Sequence, residues 1–232
     1  MKNQQSGFTL VEIAIVLVII GLLLGGVLKG QELINSAKVK NFANDFRNIP
    51  LFIYGYQDKF KSIPGDDSAV ATTHLGAAVG GVNVVVATTP AGTVGNGVLN
   101  GAWNSTTPTD ESILFWQHVR LAGLAPGPTT APADAAAVPA FVPHNADGAI
   151  VGITSGANTP ITGLTGSYIV CSQNILGKFA KQLDLTMDDG NPNTGSMRVM
   201  ENQAANQAAA VVAIADVAHV LDDSSYTVCM AL

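Results

Sequence analysis

One acidic side chain lies within an otherwise apolar stretch near the start of the chain. From Phe8 to Leu28 the only strongly polar side chain is that of Glu12. A charge inside a bilayer is unfavourable by roughly 2.5–3.5 kcal/mol on insertion scales, and an ionisable residue there usually has a function. The chemistry that suits Glu12 is therefore charge neutralisation by a partner. The alternative is a carboxylate near the start of the stretch that extends to the lipid headgroups.

The element that carries Glu12 has the length and composition of a membrane-spanning helix. An α-helix of about 20 residues crosses the hydrocarbon of a bilayer at ~1.5 Å per residue. Residues 8–28 meet this requirement and place the carboxylate near one end. An ordinary signal peptide would need a shorter apolar region with a small-residue cleavage site after it, and neither fits this segment.

The residues before the apolar stretch make the pattern more specific. A short polar leader ends in Gly7, and Phe-Thr-Leu-Val-Glu follows at residues 8–12. This arrangement resembles the class III signal of type IV pilins and type II secretion pseudopilins. The resemblance implies that a membrane peptidase cuts after Gly7 and methylates the new N-terminus at Phe8. It also implies that Glu12 neutralises the freed amine of a neighbouring subunit during assembly.

The patterning and the resemblance together divide the chain into four parts. These are a cleaved leader at residues 1–7, a transmembrane assembly helix at 8–28, an amphipathic extension of that helix at 29–62 and an exported head at 63–232. One face of the extension is apolar, because large side chains recur every three or four positions at Phe42, Phe46, Ile49, Ile53, Tyr56 and Phe60. The predicted fold is α+β and pilin-like: a long N-terminal helix packed on an antiparallel β-sheet head with additional short helices and loops.

The orientation of the head is an expectation on which two arguments disagree. Lys29, Lys38 and Lys40 follow the span, whereas the leader carries Lys2. Charge bias alone would therefore keep the bulk of the chain in the cytoplasm. The resemblance implies the opposite: a precursor in the bacterial inner membrane with an exported head, found later in an extracellular pilus or a periplasmic pseudopilus.

Short patterns predict the elements of the head. Residues 69–108 suggest irregular loops and a hairpin, and residues 125–165 suggest exposed loops or edge strands. Helices are predicted at 110–121, at 175–183 and, from alanine content, at 203–221. Strands are predicted at 168–171, 196–200 and 226–230.

Chemistry other than assembly has little support in the sequence. The net charge is −6, and no patch of clustered Lys and Arg suits a nucleic acid. The chain also lacks a nucleophile elbow, a phosphate-binding glycine loop and a Cys-x-x-Cys motif. No metal-ligand spacing relates the four histidines, His74, His118, His144 and His219. We therefore expect no active site and no enzymatic activity.

Three further motifs resemble those of a subgroup of bacterial pilin-like proteins. They are Pro64-Gly65-Asp66, the segment 115–118 and the segment 188–195. The last one raises a calcium hypothesis, because pseudopilins that resemble this chain bind calcium through oxygen-rich loops and hard cations prefer oxygen ligands. Its candidate ligands are Asp188, Asp189, Asn191 and Asn193. Their order is not that of an EF-hand, and a helix-terminating turn is the simpler account.

The only cysteines, Cys171 and Cys229, both lie in runs typical of β-strands. Oxidation is permitted on the exported side of the membrane. A disulfide between them resembles the C-terminal loop closure of many pilins, and two buried free thiols are the alternative.

The sequence thus predicts a structural subunit of a type IV pilus or pseudopilus. Its expected partners are other pilin subunits, the prepilin peptidase and methyltransferase, and an assembly platform in the inner membrane. One alternative is a type II secretion pseudopilin. Another is a minor tip pilin for adhesion or DNA uptake, with loops at 69–165 as its binding surface. An envelope enzyme with a single anchor is disfavoured, because no catalytic constellation is present.

Overall fold

The computed structural model describes residues 9–76, 86–207 and 209–232. Its longest element is helix α1, Leu10–Phe60, of 51 residues. The chain divides into two compact units, and the division falls after Lys40. The first unit holds the N-terminal part of α1, and the second begins at Asn41 with the remainder of that helix.

The first unit is helical from Leu10 onward, and its apolar side chains face outward. All side chains from Leu10 to Leu28 are exposed. Among the described residues, α1 is the one helix long and apolar enough to cross a membrane. A helix that is apolar on all sides requires lipid or protein around it. The long apolar N-terminal helix is therefore present as predicted.

Within the second unit, α1 supplies one wall of the core. The predicted face is confirmed, because Phe42, Phe46, Ile49, Ile53 and Tyr56 are all buried. Phe60 ends the helix and is half-buried. The helix continues through Pro50.

The head is built on one antiparallel sheet of four strands in the order β1-β2-β4-β3. The strands are β1, Val151–Ser155, β2, Tyr168–Leu176, β3, Met197–Glu201, and β4, Ser225–Ala231. The three strands predicted from the sequence correspond to β2, β3 and β4. The last strand of the chain lies between β2 and β3, so the C-terminal segment is held on both sides by hydrogen bonds.

Helices cover this sheet. The predicted helix at 110–121 is confirmed as α2, Glu111–Leu121, and a short helix that was not predicted, α3, spans Val138–Phe141. The helix predicted at 175–183 begins later, as α4, Gly177–Met187. Ile175 belongs instead to β2, where it pairs with Tyr226 of β4. The buried face of α4 contacts α1, because the rings of Phe179 and Phe42 lie 6.2 Å apart.

The alanine-rich segment 203–221 is not the helix that its composition predicts. Its only helical piece among the described residues is the single 3₁₀ turn Val217–His219. Backbone amides of the segment donate instead to distant carbonyl oxygens, Asn206 to Asn104 at 3.0 Å, Val211 to Pro160 at 2.9 Å and Ile214 to Val199 at 2.8 Å. Alanine favours a helix by at most ~0.7 kcal/mol per residue over other ordinary side chains, so such tertiary bonds override it.

The region before α2 contains the predicted loops but, among its described residues, not the predicted hairpin. The described residues of 69–108 form loops and one π-helical turn, Val70–His74, and residues 77–85 lie outside the description. No hairpin is present at 86–108, where Asn96, Gly97 and Gly101 lie in bends of the chain without flanking strands. Asp66 explains this, since it accepts hydrogen bonds from the amides of residues 95–97 and gathers them into a loop.

Candidate functional site

The start of α1 is organised by a capping box between Thr9 and Glu12. Glu12 Oε2 accepts hydrogen bonds from the backbone N–H and the hydroxyl of Thr9, both at 2.8 Å. In return, the N–H of Glu12 donates to Thr9 Oγ1 at 3.3 Å. Such a pair satisfies amides that a helix N-terminus leaves unpaired, and the carboxylate also suits the positive end of the helix dipole. Glu12 therefore has a local structural role in addition to the one predicted for it.

This capping role could have been predicted from the sequence. Thr followed three residues later by Glu, immediately before an apolar run, is the usual pattern of a capping box. Glu12 forms no ion pair with any residue that the structure describes. Gly7 and Phe8, the residues predicted to be processed, lie outside the described residues, and their roles stay predictions.

Two motifs of the head that are far apart in sequence meet in the structure. The N–H of Gly65 donates to His118 Nδ1 at 2.9 Å. Because that nitrogen accepts, Nε2 carries the proton and donates to the carbonyl oxygen of Thr88 at 3.0 Å. Burial lowers the pKa of His118 to about 4, although the bond to Thr88 and the charge of Asp67 act in the opposite direction. His118 is thus a neutral core histidine that ties α2 to the turn after α1.

Asp67 continues this network as a buried carboxylate. It accepts hydrogen bonds from the hydroxyl of Tyr56 at 2.7 Å and from the N–H of Ala69 at 3.0 Å, and its Oδ2 lies 2.6 Å from His74 Nδ1. Burial alone would raise the pKa of Asp67, but the bonds from His74, Tyr56 and Ala69 outweigh it and hold that pKa below its ordinary value. The Tyr-Asp-His arrangement is structural. Tyr56 lies on α1, whereas Asp67 and His74 follow it, so the hydrogen bonds of Asp67 connect α1 to the segment after it.

The acidic segment after α4 contains the residues of the calcium hypothesis. Asp188 Oδ2 accepts from the N–H of Met197 at 2.7 Å, and Asp189 Oδ2 accepts from the hydroxyl of Thr194 at 2.5 Å. Asn191 Oδ1 accepts from the N–H of Asn193 at 3.1 Å and so closes a turn.

The structure adds to this cluster a residue that was not among the predicted ligands. Asp184, in the last turns of α4, carries a carboxylate oxygen that lies within 4.8 Å of those of Asp188 and Asp189. Burial raises the pKa of Asp184 to about 7, and the negative charges of Asp189 and Asp188 add to the effect. The spacing 184–188 is one helical turn, so a helix prediction that extended beyond residue 183 could have indicated the pairing.

The two cysteines are joined across the centre of the sheet. Cys171 of β2 and Cys229 of β4 are directly paired in the strand register and form a disulfide. Both are fully buried among the apolar residues of the core, next to Trp103, Ile169 and Met200. The described residues contain no free cysteine.

Comparison with known proteins identifies the N-terminal segment. Residues 2–28 match the family model described as the prokaryotic N-terminal methylation motif. Neither the curated proteins nor the solved structures contain a match to the chain. The matched residues include Gly7, Phe8 and Glu12 together with the exposed apolar part of α1. The chain therefore carries the N-terminal signal of type IV pilins and pseudopilins.

Proposed function

We propose that the chain is a structural subunit of a type IV pilus or a related pseudopilus, and not an enzyme. The main support for this proposal is the match of residues 2–28 to the methylation motif. In this proposal, prepilin peptidase cuts after Gly7, the new N-terminus at Phe8 is methylated, and the subunit polymerises through α1. The partners are other pilin subunits and the assembly platform of the inner membrane.

The exposed surface of α1 supports polymerisation through this helix. From Leu10 to Leu28 every side chain is exposed in the single chain. Lipid can surround these side chains in the membrane precursor, and the same helices of neighbouring subunits can replace the lipid in a filament. Helices in apolar surroundings associate through close packing, which Gly21, Gly25 and Gly26 permit because they carry no side chain. The space beside each of them is open, since no other part of the described chain comes within 4 Å of a Cβ placed there.

Glu12 supplies the specificity of the proposed contact. A carboxylate at the start of an apolar helix and the ammonium of a processed Phe8 in another subunit are each unfavourable alone in apolar surroundings. Paired, they form a charge-assisted hydrogen bond. Removal of one partner of a buried ion pair costs about 3–5 kcal/mol, because the other charge is left uncompensated. At about 1.4 kcal/mol per tenfold, even the lower value weakens each subunit contact about a hundredfold.

The capping box permits a test that separates the charge of Glu12 from its cap. Glu12→Gln removes the charge but keeps a side chain that suits the third position of a capping box. Thr9→Ala keeps the charge and removes the cap, at a cost of about 1 kcal/mol. Glu32→Gln is the matched control, because Glu32 also lies on α1 but pairs with Lys29 in an exposed ion pair at 2.6 Å.

Each variant would be expressed in place of the native subunit, with leader removal followed by gel shift and filaments counted by electron microscopy. We expect normal processing in all three and a loss of filaments of at least tenfold in Glu12→Gln alone. Wild-type numbers of filaments built from Glu12→Gln would contradict the charge role. Equal losses in Glu12→Gln and Thr9→Ala would assign the effect to the cap.

A further inference from the structure

We propose that the head binds a free α-amino acid with an apolar side chain in the cavity where α1, α2 and β1 meet. The cavity has a volume of about 180 Å³. Roughly 10–15 Å³ is enough for one water molecule, whereas sites for drug-sized ligands usually exceed ~300 Å³. The space therefore suits a small molecule of amino-acid size. The inference is independent of the proposed function in filaments.

Trp116, on α2, supplies an unpaired hydrogen-bond donor. The residue lines the cavity and only 3% of its surface is exposed, yet its indole Nε1 has no hydrogen-bond partner among the described residues. Buried polar atoms are nearly always paired. An acceptor atom of a bound molecule would satisfy this donor.

Arg120 follows Trp116 by one helical turn and supplies a buried positive charge. The residue lines the cavity and is 7% exposed, and its Nε and Nη1 donate to the carbonyl oxygens of Pro126, Pro128 and Phe141 at 3.2, 3.3 and 2.9 Å. No described carboxylate lies within ion-pair distance of it. Burial lowers the pKa of Arg120 to about 10, so the side chain stays charged at neutral pH. A carboxylate is the partner that suits such a guanidinium best.

Asp45, on α1, supplies the opposite charge. It is half-buried and lines the same cavity, and no described Lys, Arg or His forms an ion pair with it. Burial raises the pKa of Asp45 to about 6, so its carboxyl group is mostly ionised at pH 7. Asp45 and Arg120 thus line one cavity as separate charges of opposite sign.

These charges favour a zwitterion over a simple anion or a simple amine. A carboxylate ligand alone would leave Asp45 without a counter-charge, and an amine alone would leave Arg120 without one. A free α-amino acid carries both groups on one carbon atom. Its carboxylate can accept hydrogen bonds from Arg120 and Trp116, and its ammonium group can donate to Asp45.

Apolar side chains line much of the remaining surface. They include Ile49 and Phe52 of α1 and Val151 of β1, whereas Asn48 and His144 are the other polar residues of the lining. Binding sites for small molecules combine such apolar walls with a few polar groups that fix the orientation of the ligand. The walls suit an aliphatic side chain such as that of leucine.

Arg120 is held in position by the chain itself. Its three bonds to carbonyl oxygens fix the guanidinium, and a Cβ at Gly127 would lie only 2.6 Å from Nε, so glycine permits this close packing. A group that is already oriented loses little freedom when it binds a ligand.

The test uses the full chain in detergent micelles, with L-leucine as the probe. Calorimetric titration measures binding, and thermal unfolding followed by circular dichroism measures stabilisation. Isocaproate, which lacks the ammonium group of leucine, and isoamylamine, which lacks its carboxylate, test whether both charges are required.

The variants are Asp45→Asn and Trp116→Phe, which remove the proposed partners of the ammonium group and of the carboxylate. Trp116→Phe keeps an aromatic ring in the core and removes a donor that has no partner in the described chain. Arg120 is left unchanged, because its bonds hold the loop after α2. The control is Asp58→Asn, which removes an exposed carboxylate of α1 outside the cavity.

We expect leucine at a hundredfold excess over its dissociation constant to raise the melting temperature by ~5 °C or more in the native chain and in Asp58→Asn. Asp45→Asn and Trp116→Phe should each weaken leucine binding at least ~10-fold. Without leucine, both variants should still unfold in one cooperative transition, which separates the loss of a ligand contact from a failure to fold.

Three results would overturn the proposal. The first is no heat of binding and no stabilisation of the native chain at millimolar leucine. The second is an affinity for leucine in Asp45→Asn or Trp116→Phe equal to that of the native chain. The third is binding of isocaproate or isoamylamine as tight as that of leucine, which would overturn the choice of a zwitterion.

Discussion

The disulfide offers a prediction whose magnitude follows from its place in the chain. Cys171 and Cys229 are separated by 58 residues, a span that contains α4 and β3. On the chain-entropy model, closing a loop of this length stabilises the folded state by ~4 kcal/mol, because it restricts the unfolded chain. We expect Cys171→Ala and Cys229→Ala each to lose about this amount, equivalent to ~10 °C in melting temperature for a unit of this size.

The assay is a double-mutant cycle with urea unfolding followed by tryptophan fluorescence. Since either substitution alone breaks the bond, the double variant should be no less stable than the single variants beyond ~1 kcal/mol, and the coupling energy should be close to the full ~4 kcal/mol. Alanine is the better replacement, because a serine hydroxyl would be buried without an assured partner. Single losses that add up in the double variant would refute the bond, as would two reactive thiols per chain in the denatured, unreduced protein.

Two more predictions concern the turn after α1 and its contact with α2. The pKa of His118 is lowered to about 4 when the chain is folded, whereas the unfolded chain takes up the proton near 6.5. The contribution of His118 to stability should therefore fall by up to ~3 kcal/mol as the pH drops from about 6.5 to about 4, whereas the raised pKa of Asp184 acts in the opposite direction. The difference in unfolding free energy between the native chain and His118→Gln should change by this amount over that range; a constant difference would contradict the assignment. Gly65→Ala should destabilise the head by ~2 kcal/mol more than Gly92→Ala in urea unfolding. Both glycines have a positive φ, 91° and 95°, but only at Gly65 would a Cβ meet other atoms, at 2.5 Å from the carbonyl oxygen of Glu111 and the side chain of Leu99. Equal losses would refute the steric argument.

The local sequence pattern was sufficient to predict those elements in which buried residues recur at a regular spacing. The apolar face of α1 is read from spacings of three and four residues, because one helix face forms one wall of the core. β2 and β4 are recognised by their β-branched and aromatic residues. The position of β4 between β2 and β3 is a property of the whole sheet, which no local pattern encodes.

The segment 203–221 shows where composition misleads. Its alanines favour a helix, but its polar side chains bond to other parts of the head. Gln207 accepts a hydrogen bond from Trp103 Nε1 at 2.9 Å and donates to the carbonyl oxygen of Pro160 at 2.9 Å. The first contact joins residues about a hundred positions apart and the second joins residues nearly fifty apart. A prediction from short stretches of sequence therefore cannot include them.

The candidate functional residues also differ in whether the sequence alone can reveal them. Glu12 is conspicuous in the sequence because it is a single charge in an apolar run, and its cap is a local pattern that can also be read there. Asp184 resembles any other polar residue of an amphipathic helix until the structure shows that it is buried and brings it close to Asp188. Such burial is a tertiary property.

Mass spectrometry of the N-terminus is the most direct test of whether the chain is processed as a pilin-type subunit. The subunit would be isolated from assembled filaments, or from the membrane fraction if it serves a pseudopilus, and its N-terminal peptide sequenced. We expect a chain that lacks residues 1–7 and begins with N-methylated Phe8. An assembled subunit that still carries Gly7 and the leader before it would contradict the proposed processing.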